Sequence, residues 1–143
     1  MNIYDELRAG VTTASAGATR DLGARLAAVL PPDTTLALHG DLGVGKTTLV
    51  QGLARGLDIA GPVTSPTFNV FHLYPGARKL LHLDAYRLDS TRQMAELMIE
   101  DFLVPPYLLA VEWPDRIAEW LPADTLHLEL GIEAPGRHRL VLR

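Results

Sequence analysis

Eight residues, Gly40-Asp41-Leu42-Gly43-Val44-Gly45-Lys46-Thr47, leave this chain little freedom in how it folds. They fit the pattern G-x-x-x-x-G-K-[ST], which this chain's own residue frequencies would produce by chance in roughly one of a thousand such sequences. The pattern has a physical meaning only between a strand and a helix. Glycine at 43 and 45 lets the backbone bend without Cβ clashes, so that the N–H groups of Gly43, Val44 and Gly45 converge on an anion at the positive end of the following helix. The flanks comply. Thr34 to His39 is a short β-rich segment, and Thr47 to Leu57 has helical spacing, with Gly56 and Gly61 near its end. In such a loop Lys46 would reach the β- and γ-phosphates of a nucleotide, the Thr47 hydroxyl would ligate Mg²⁺, and Thr48 would donate to the α-phosphate.

The use of lysine strengthens this reading. Of 13 basic residues only Lys46 and Lys79 are lysines, so arginine serves almost everywhere else. A lysine kept inside a glycine loop points to a need for a compact charge on a flexible stem, where a planar guanidinium would not fit.

The rest of the chain divides at its prolines, with the Pro31-Pro32 and Pro105-Pro106 pairs reading as loops. Leu22, Leu26, Val29 and Leu30 recur at helical spacing and predict a helix over 18–30. Two extended stretches, 67–74 and 79–86, flank Pro75-Gly76 and predict a hairpin. A helix is expected over 91–102 and a short one over 115–120. The apolar run Tyr107-Leu108-Leu109-Ala110-Val111 has the composition of a strand buried on both faces. Stretches 126–132 and 138–142 alternate around Pro135-Gly136 and should pair antiparallel. The expected fold is therefore α/β: a single P-loop NTPase-like domain spanning 1–143, whose mixed, mostly parallel central sheet is flanked by helices and closed by C-terminal antiparallel strands.

Composition excludes several other functions. A net charge of −4 suits direct binding to a polyanion poorly, and without cysteine there is neither a disulfide framework nor a thiolate site. No apolar run reaches bilayer-spanning length and the first residues lack the pattern of an export signal, so a cytoplasmic protein without membrane association is expected. The five histidines lack paired ligand spacing.

A phosphate loop of this kind needs an acidic residue at the end of a neighbouring strand to hold the magnesium shell. Asp84, after Leu80-Leu81-His82-Leu83, and Glu112, after the buried-strand run, are the candidates, with Glu112 preferred. Trp113 would lie beside the nucleotide or serve as a packing anchor. In the loop Ser65-Pro66-Thr67-Phe68, Thr67 is the candidate sensor of the γ-phosphate, although a plain proline turn would use the same residues.

The glycine loop together with Ser65-Pro66-Thr67-Phe68, His82-Leu83-Asp84-Ala85-Tyr86-Arg87-Leu88 and Glu112-Trp113-Pro114-Asp115-Arg116 closely resembles the TsaE (YjeE) family, in its order and spacing, from Ala18 onward. The resemblance implies an ATPase of tRNA threonylcarbamoyladenosine biosynthesis, acting in a complex with TsaB and TsaD, the latter transferring a threonylcarbamoyl group to adenosine 37 of tRNAs reading ANN codons. Contact with tRNA would then belong to the partners. It also implies magnesium ligands at Thr47 and Glu112, a second strand-end acid at Asp84, a tryptophan near the nucleotide at Trp113, and a nucleotide-side arginine at Arg137. Two positions depart from the family: Ala85 replaces its usual leucine, and Met98 stands where a glycine commonly follows Glu96-Leu97.

A small-molecule P-loop kinase would use the same loop, but it would need an arginine-bearing lid, which the sequence does not display. A guanine-specific switch would carry Asn-Lys-x-Asp, and neither lysine follows an asparagine.

Overall fold

The computed structural model describes residues 2–41, 43–64, 70–88 and 91–143, the side chain of Thr91 excepted. Thr67 and Leu42 lie outside the described residues.

The chain opens with helix α1 (Ile3–Ala9), capped by Asn2, whose side chain accepts from the Asp5 N–H, and stopped by Gly10 at φ 99°. A three-residue strand β1 (Val11–Thr13) leads to α2 (Ala16–Val29), which begins where Ser15 accepts from the Ala18 N–H. It stops at Leu30, as the proline pair behind it requires. Strand β2 (Thr34–His39) has four consecutive buried residues, and α3 (Lys46–Gly56) follows across the glycine loop. Next come β3 (Phe71–Tyr74), β4 (Lys79–Asp84), α4 (Thr91–Glu96), β5 (Tyr107–Glu112), β6 (Leu126–Ala134) and β7 (Arg137–Leu142).

These strands form one sheet in the order β1-β7-β6-β2-β5-β4-β3. Its centre is parallel, with β2 between β6 and β5, and β5 beside β4. Its margins are antiparallel: the expected β3–β4 hairpin on one side, and β6–β7 with β1 on the other. The architecture is the expected mixed α/β sheet with a parallel core. Alternation along the strands sends Leu36, Leu38, Leu80, Leu108 and Ala110 to one face, where they pack with Leu22, Leu26, Leu49 and Leu53 of α2 and α3. Leu81, Leu83, Leu109 and Val111 point to the other face, beneath Met94, Ile99 and Ile117.

Local differences from expectation have local causes. The extended stretch ends at Asp84, whose carboxylate accepts from the Tyr86 N–H and opens a 3-10 turn, Ala85–Arg87. The predicted helix 91–102 is broken at Met98, which adopts φ 53° and ψ 37°, so α4 gives way to a 3-10 turn over Ile99–Phe102. The short helix after β5 is a 3-10 turn, Pro114–Ile117, entered through Trp113 at φ 55°. Sequence patterning gave no sign of α1 or β1; β1 exists through its pairing with β7, from Val11↔Leu140 to Thr13↔His138.

Candidate functional site

Three parallel strands end side by side. Leu38 of β2 is in register with Glu112 of β5, and Glu112 with Asp84 of β4, so both carboxylates stand at carboxyl ends next to the strand that feeds the glycine loop. That is where open α/β sheets place their ligands. An open cleft of ≈ 360 Å³ occupies the position, lined by Gly43, Gly45, Lys46, Thr47, Thr48, Asp84, Glu112 and Trp113, and also by Ala16, Thr19 and His138.

The loop has the backbone its sequence demands. Gly40, Gly43 and Gly45 have φ of 141°, 79° and 100°, values that side-chain-bearing residues rarely adopt. Gly45 is the N-cap of α3, without a side-chain capping bond, so the first N–H groups of the helix have no such partner. His138 on β7 braces the loop, its Nδ1 lying 2.9 Å from the Val44 carbonyl oxygen; since a carbonyl only accepts, the imidazole donates.

Lys46 is the electrostatic centre. It is only 4% exposed, its Nζ donates to the Gly40 carbonyl at 2.6 Å, and it lies 3.8 Å from the centroid of the Trp113 ring. Burial lowers its pKa from the ordinary lysine value, against the opposing pull of Glu112, Asp84 and Asp41. A bound phosphate would supply the negative charge that a desolvated ammonium lacks. Further out, Tyr86 packs against Trp113 with centroids 5.1 Å apart and the rings tilted by 55°, and the Arg116 guanidinium lies 5.5 Å from the Tyr86 ring. Cation, indole, phenol and guanidinium form a continuous ladder from the loop to the surface.

Sequence reasoning placed Lys46, Thr47, Thr48, Gly43, Gly45, Asp84, Glu112 and Trp113 at one site, and all eight line this cleft. Val44 is buried beside it and contributes backbone. Arg137 is exposed at the start of β7 and is not among the lining residues; its neighbour His138 is. The parity of β7 would have revealed this, because His138 shares a face with buried Leu140 and Leu142. His82 was also overlooked. It is fully buried on β4, on the same face as Asp84, and its Nε2 is hydrogen-bonded to Glu112 Oε2.

The oxygen donors of Thr47, Asp84 and Glu112 suit a hard divalent cation such as magnesium, and the glycine loop suits a phosphate chain. The fold and the cleft together define an α/β protein of the P-loop NTPase type. A family model described as Threonylcarbamoyl adenosine biosynthesis protein TsaE matches residues 13–140, and the chain belongs to that family. It is 46% identical over 112 residues to the tRNA threonylcarbamoyladenosine biosynthesis protein TsaE of Synechocystis sp., covering 75% of this chain and 70% of that one. The TsaE protein of Treponema pallidum is 33% identical over 128 residues, covering 90% of this chain and 95% of that protein. Among solved structures, YdiB of Bacillus subtilis superposes with a TM-score of 0.78 at 28% identity, over 93% of this chain and 82% of its own.

Proposed function

We propose that this chain binds Mg-ATP and hydrolyses it in support of threonylcarbamoylation of adenosine 37 in tRNAs reading ANN codons, working in the cytoplasm with TsaB and TsaD. Hydrolysis would reset that complex between turnovers. The observation that carries the reading is the buried Lys46 between a glycine loop and two strand-end carboxylates. Gly43, Val44 and Gly45 would wrap the phosphates with backbone N–H groups, Lys46 would draw charge from the β- and γ-phosphates, and Thr48 would meet the α-phosphate. Thr47, Glu112 and Asp84 would hold magnesium, which supplies charge neutralisation along the phosphate chain when bound.

Glu112 would also orient the attacking water, Thr67 would sense the γ-phosphate, and Trp113 and Arg137 would approach the nucleotide from the rim. Among the described residues lining the cleft, Lys46 is the only lysine or arginine. Beyond magnesium the cleft lining thus offers one protein cation and no arginine to meet the transition-state charge, which supports slow turnover alone and stimulation by a partner. The test is ATP hydrolysis by the chain alone and with TsaB, TsaD and tRNA, with Lys46→Ala and Glu112→Ala as controls. Strong stimulation that both variants abolish is expected. Turnover indifferent to the partners would overturn the assignment and direct attention to a kinase.

A further inference from the structure

His82 is polar, fully buried and bonded to the acid at the edge of the cleft. On β4 it lies opposite Ala110 of β5 and His72 of β3. Ala110 and Glu112 share a face of β5, so the small alanine side chain leaves room for the imidazole to reach along that face to the carboxylate. An ionised carboxylate only accepts, so the Nε2 proton is the donor and Glu112 Oε2 the acceptor. The other ring nitrogen, Nδ1, is buried and without a hydrogen-bond partner among the described residues.

Two features argue that the histidine does more than fill space. An unpartnered ring nitrogen in the interior is a cost that an apolar side chain of similar size would not carry, so stability alone does not account for it. And Glu112, though electrostatically coupled to Lys46, makes no ion pair with it among the described residues; the lysine bonds to the Gly40 carbonyl and Glu112 to His82. A carboxylate at 5% exposure beside a buried ammonium would be expected to swing onto it unless something else held it.

We infer that His82 is a positioning residue. Its Nε2–H fixes Glu112 Oε2, keeps the carboxylate from collapsing onto Lys46, and leaves Oε1 free for the magnesium shell. The inference rests on the reading of Glu112 given above and adds the group that orients it, as partners outside the coordination shell do for metal-binding carboxylates.

The experiment compares wild type, His82→Leu, His82→Gln and Glu112→Gln. Affinity for ATP is measured with magnesium and in excess chelator, stimulated hydrolysis is followed against magnesium concentration, and the imidazole N–H proton of His82 is observed by NMR. In His82→Leu, magnesium-free ATP affinity should stay within about twofold of wild type, while the magnesium needed for half-maximal turnover, or kcat itself, should worsen about 10- to 100-fold. His82→Gln, whose amide N–H can reach the same carboxylate, should recover most of the loss. The slowly exchanging N–H signal should move upfield and exchange faster in Glu112→Gln, whose amide oxygen accepts more weakly than a carboxylate. Wild-type magnesium dependence in His82→Leu overturns the positioning role, as does an equal loss of magnesium-free affinity in both His82 variants. If His82→Leu does not fold, His82→Gln and the NMR signal decide: a Gln variant no better than Glu112→Gln, or an N–H signal indifferent to Glu112, overturns it. Normal turnover in Glu112→Gln would instead refute the role of Glu112 itself, and the two failures are thereby distinguished.

Discussion

Helix α3 carries the phosphate loop, and its position is set by glycines that meet the backbone of α2. A Cβ placed on Gly52 would lie 2.2 Å from the Arg20 carbonyl oxygen, 2.7 Å from its Cα and 2.8 Å from its carbonyl carbon. None of these atoms belongs to a side chain that can rotate away. To accept Gly52→Ala, α3 must retreat from α2 by about an ångström to reach van der Waals distance. That retreat loosens fully buried Leu49 and Leu53 against Leu22 and Leu26. Overpacking of this kind costs about 1–3 kcal/mol, and a backbone obstacle belongs at the upper end. Alanine returns at most about 1 kcal/mol of helix propensity. A net loss of about 2 kcal/mol follows, lowering Tm by about 5–8 °C in a chain of this size. The retreat also displaces the first turn of α3, so ATP should bind about tenfold more weakly, the equivalent of about 1.4 kcal/mol. Gly17→Ala is the matched control. It lies in the first turn of α2, where a Cβ would meet only Ser15 Oγ at 3.8 Å, so the same substitution should stabilise by up to about 1 kcal/mol. Urea and thermal melts of both variants, with ATP titrations, test the reasoning. Equal stability of the two would refute the close helix contact.

Three further outcomes are expected. Met98→Gly should stabilise by about 0.5–1 kcal/mol in urea melts, because Met98 holds a left-handed backbone at φ 53° while its side chain is largely exposed; a loss of stability would refute that conformation. Burial, and after it the Arg143 guanidinium, lowers the pKa of His39 from its ordinary 6.5, against Asp115 and Glu129. The native state therefore favours the neutral ring: its contribution is full above pH 6.5 and is lost as pH falls from there through the folded pKa. His39→Gln should flatten that acid limb of a stability–pH curve, and an unchanged limb would sink the assignment. Finally, phosphate should draw Lys46 Nζ off the Trp113 ring, so that ATP changes tryptophan emission in a Trp120→Phe background; a silent spectrum would contradict the contact seen at 3.8 Å.

Sequence reading located the centre of the fold more securely than its margins. Strand β2 was anticipated at its observed bounds, and β5 to within one residue, because buried central strands are short, apolar and bounded by turn residues. Strand β1 has three residues, too few for alternation to register, and it pairs with β7 from the far end of the chain. Met98 was noticeable only as a departure from a familiar glycine. A φ of 53° is backbone that glycine adopts more readily than methionine, and it is the reason the predicted helix breaks there.

The candidate site divides along the same line. Residues that would touch phosphate or metal are contiguous, or sit at the ends of recognisable strands, because the loop must wrap an anion within a few residues and the acids must stand beside it. The residues that hold them are not contiguous with them. His138 reaches Val44 across 94 positions and His82 reaches Glu112 across 30, and each bond depends on strand order and register, which no local pattern encodes. What remains visible in sequence is parity. His82 falls in step with Asp84, and His138 with Leu140, so each histidine had to face the interior once its strand was assigned. A histidine forced inward beside a strand-end acid needs a partner, and the acid at the end of the adjacent strand is the nearest group able to serve.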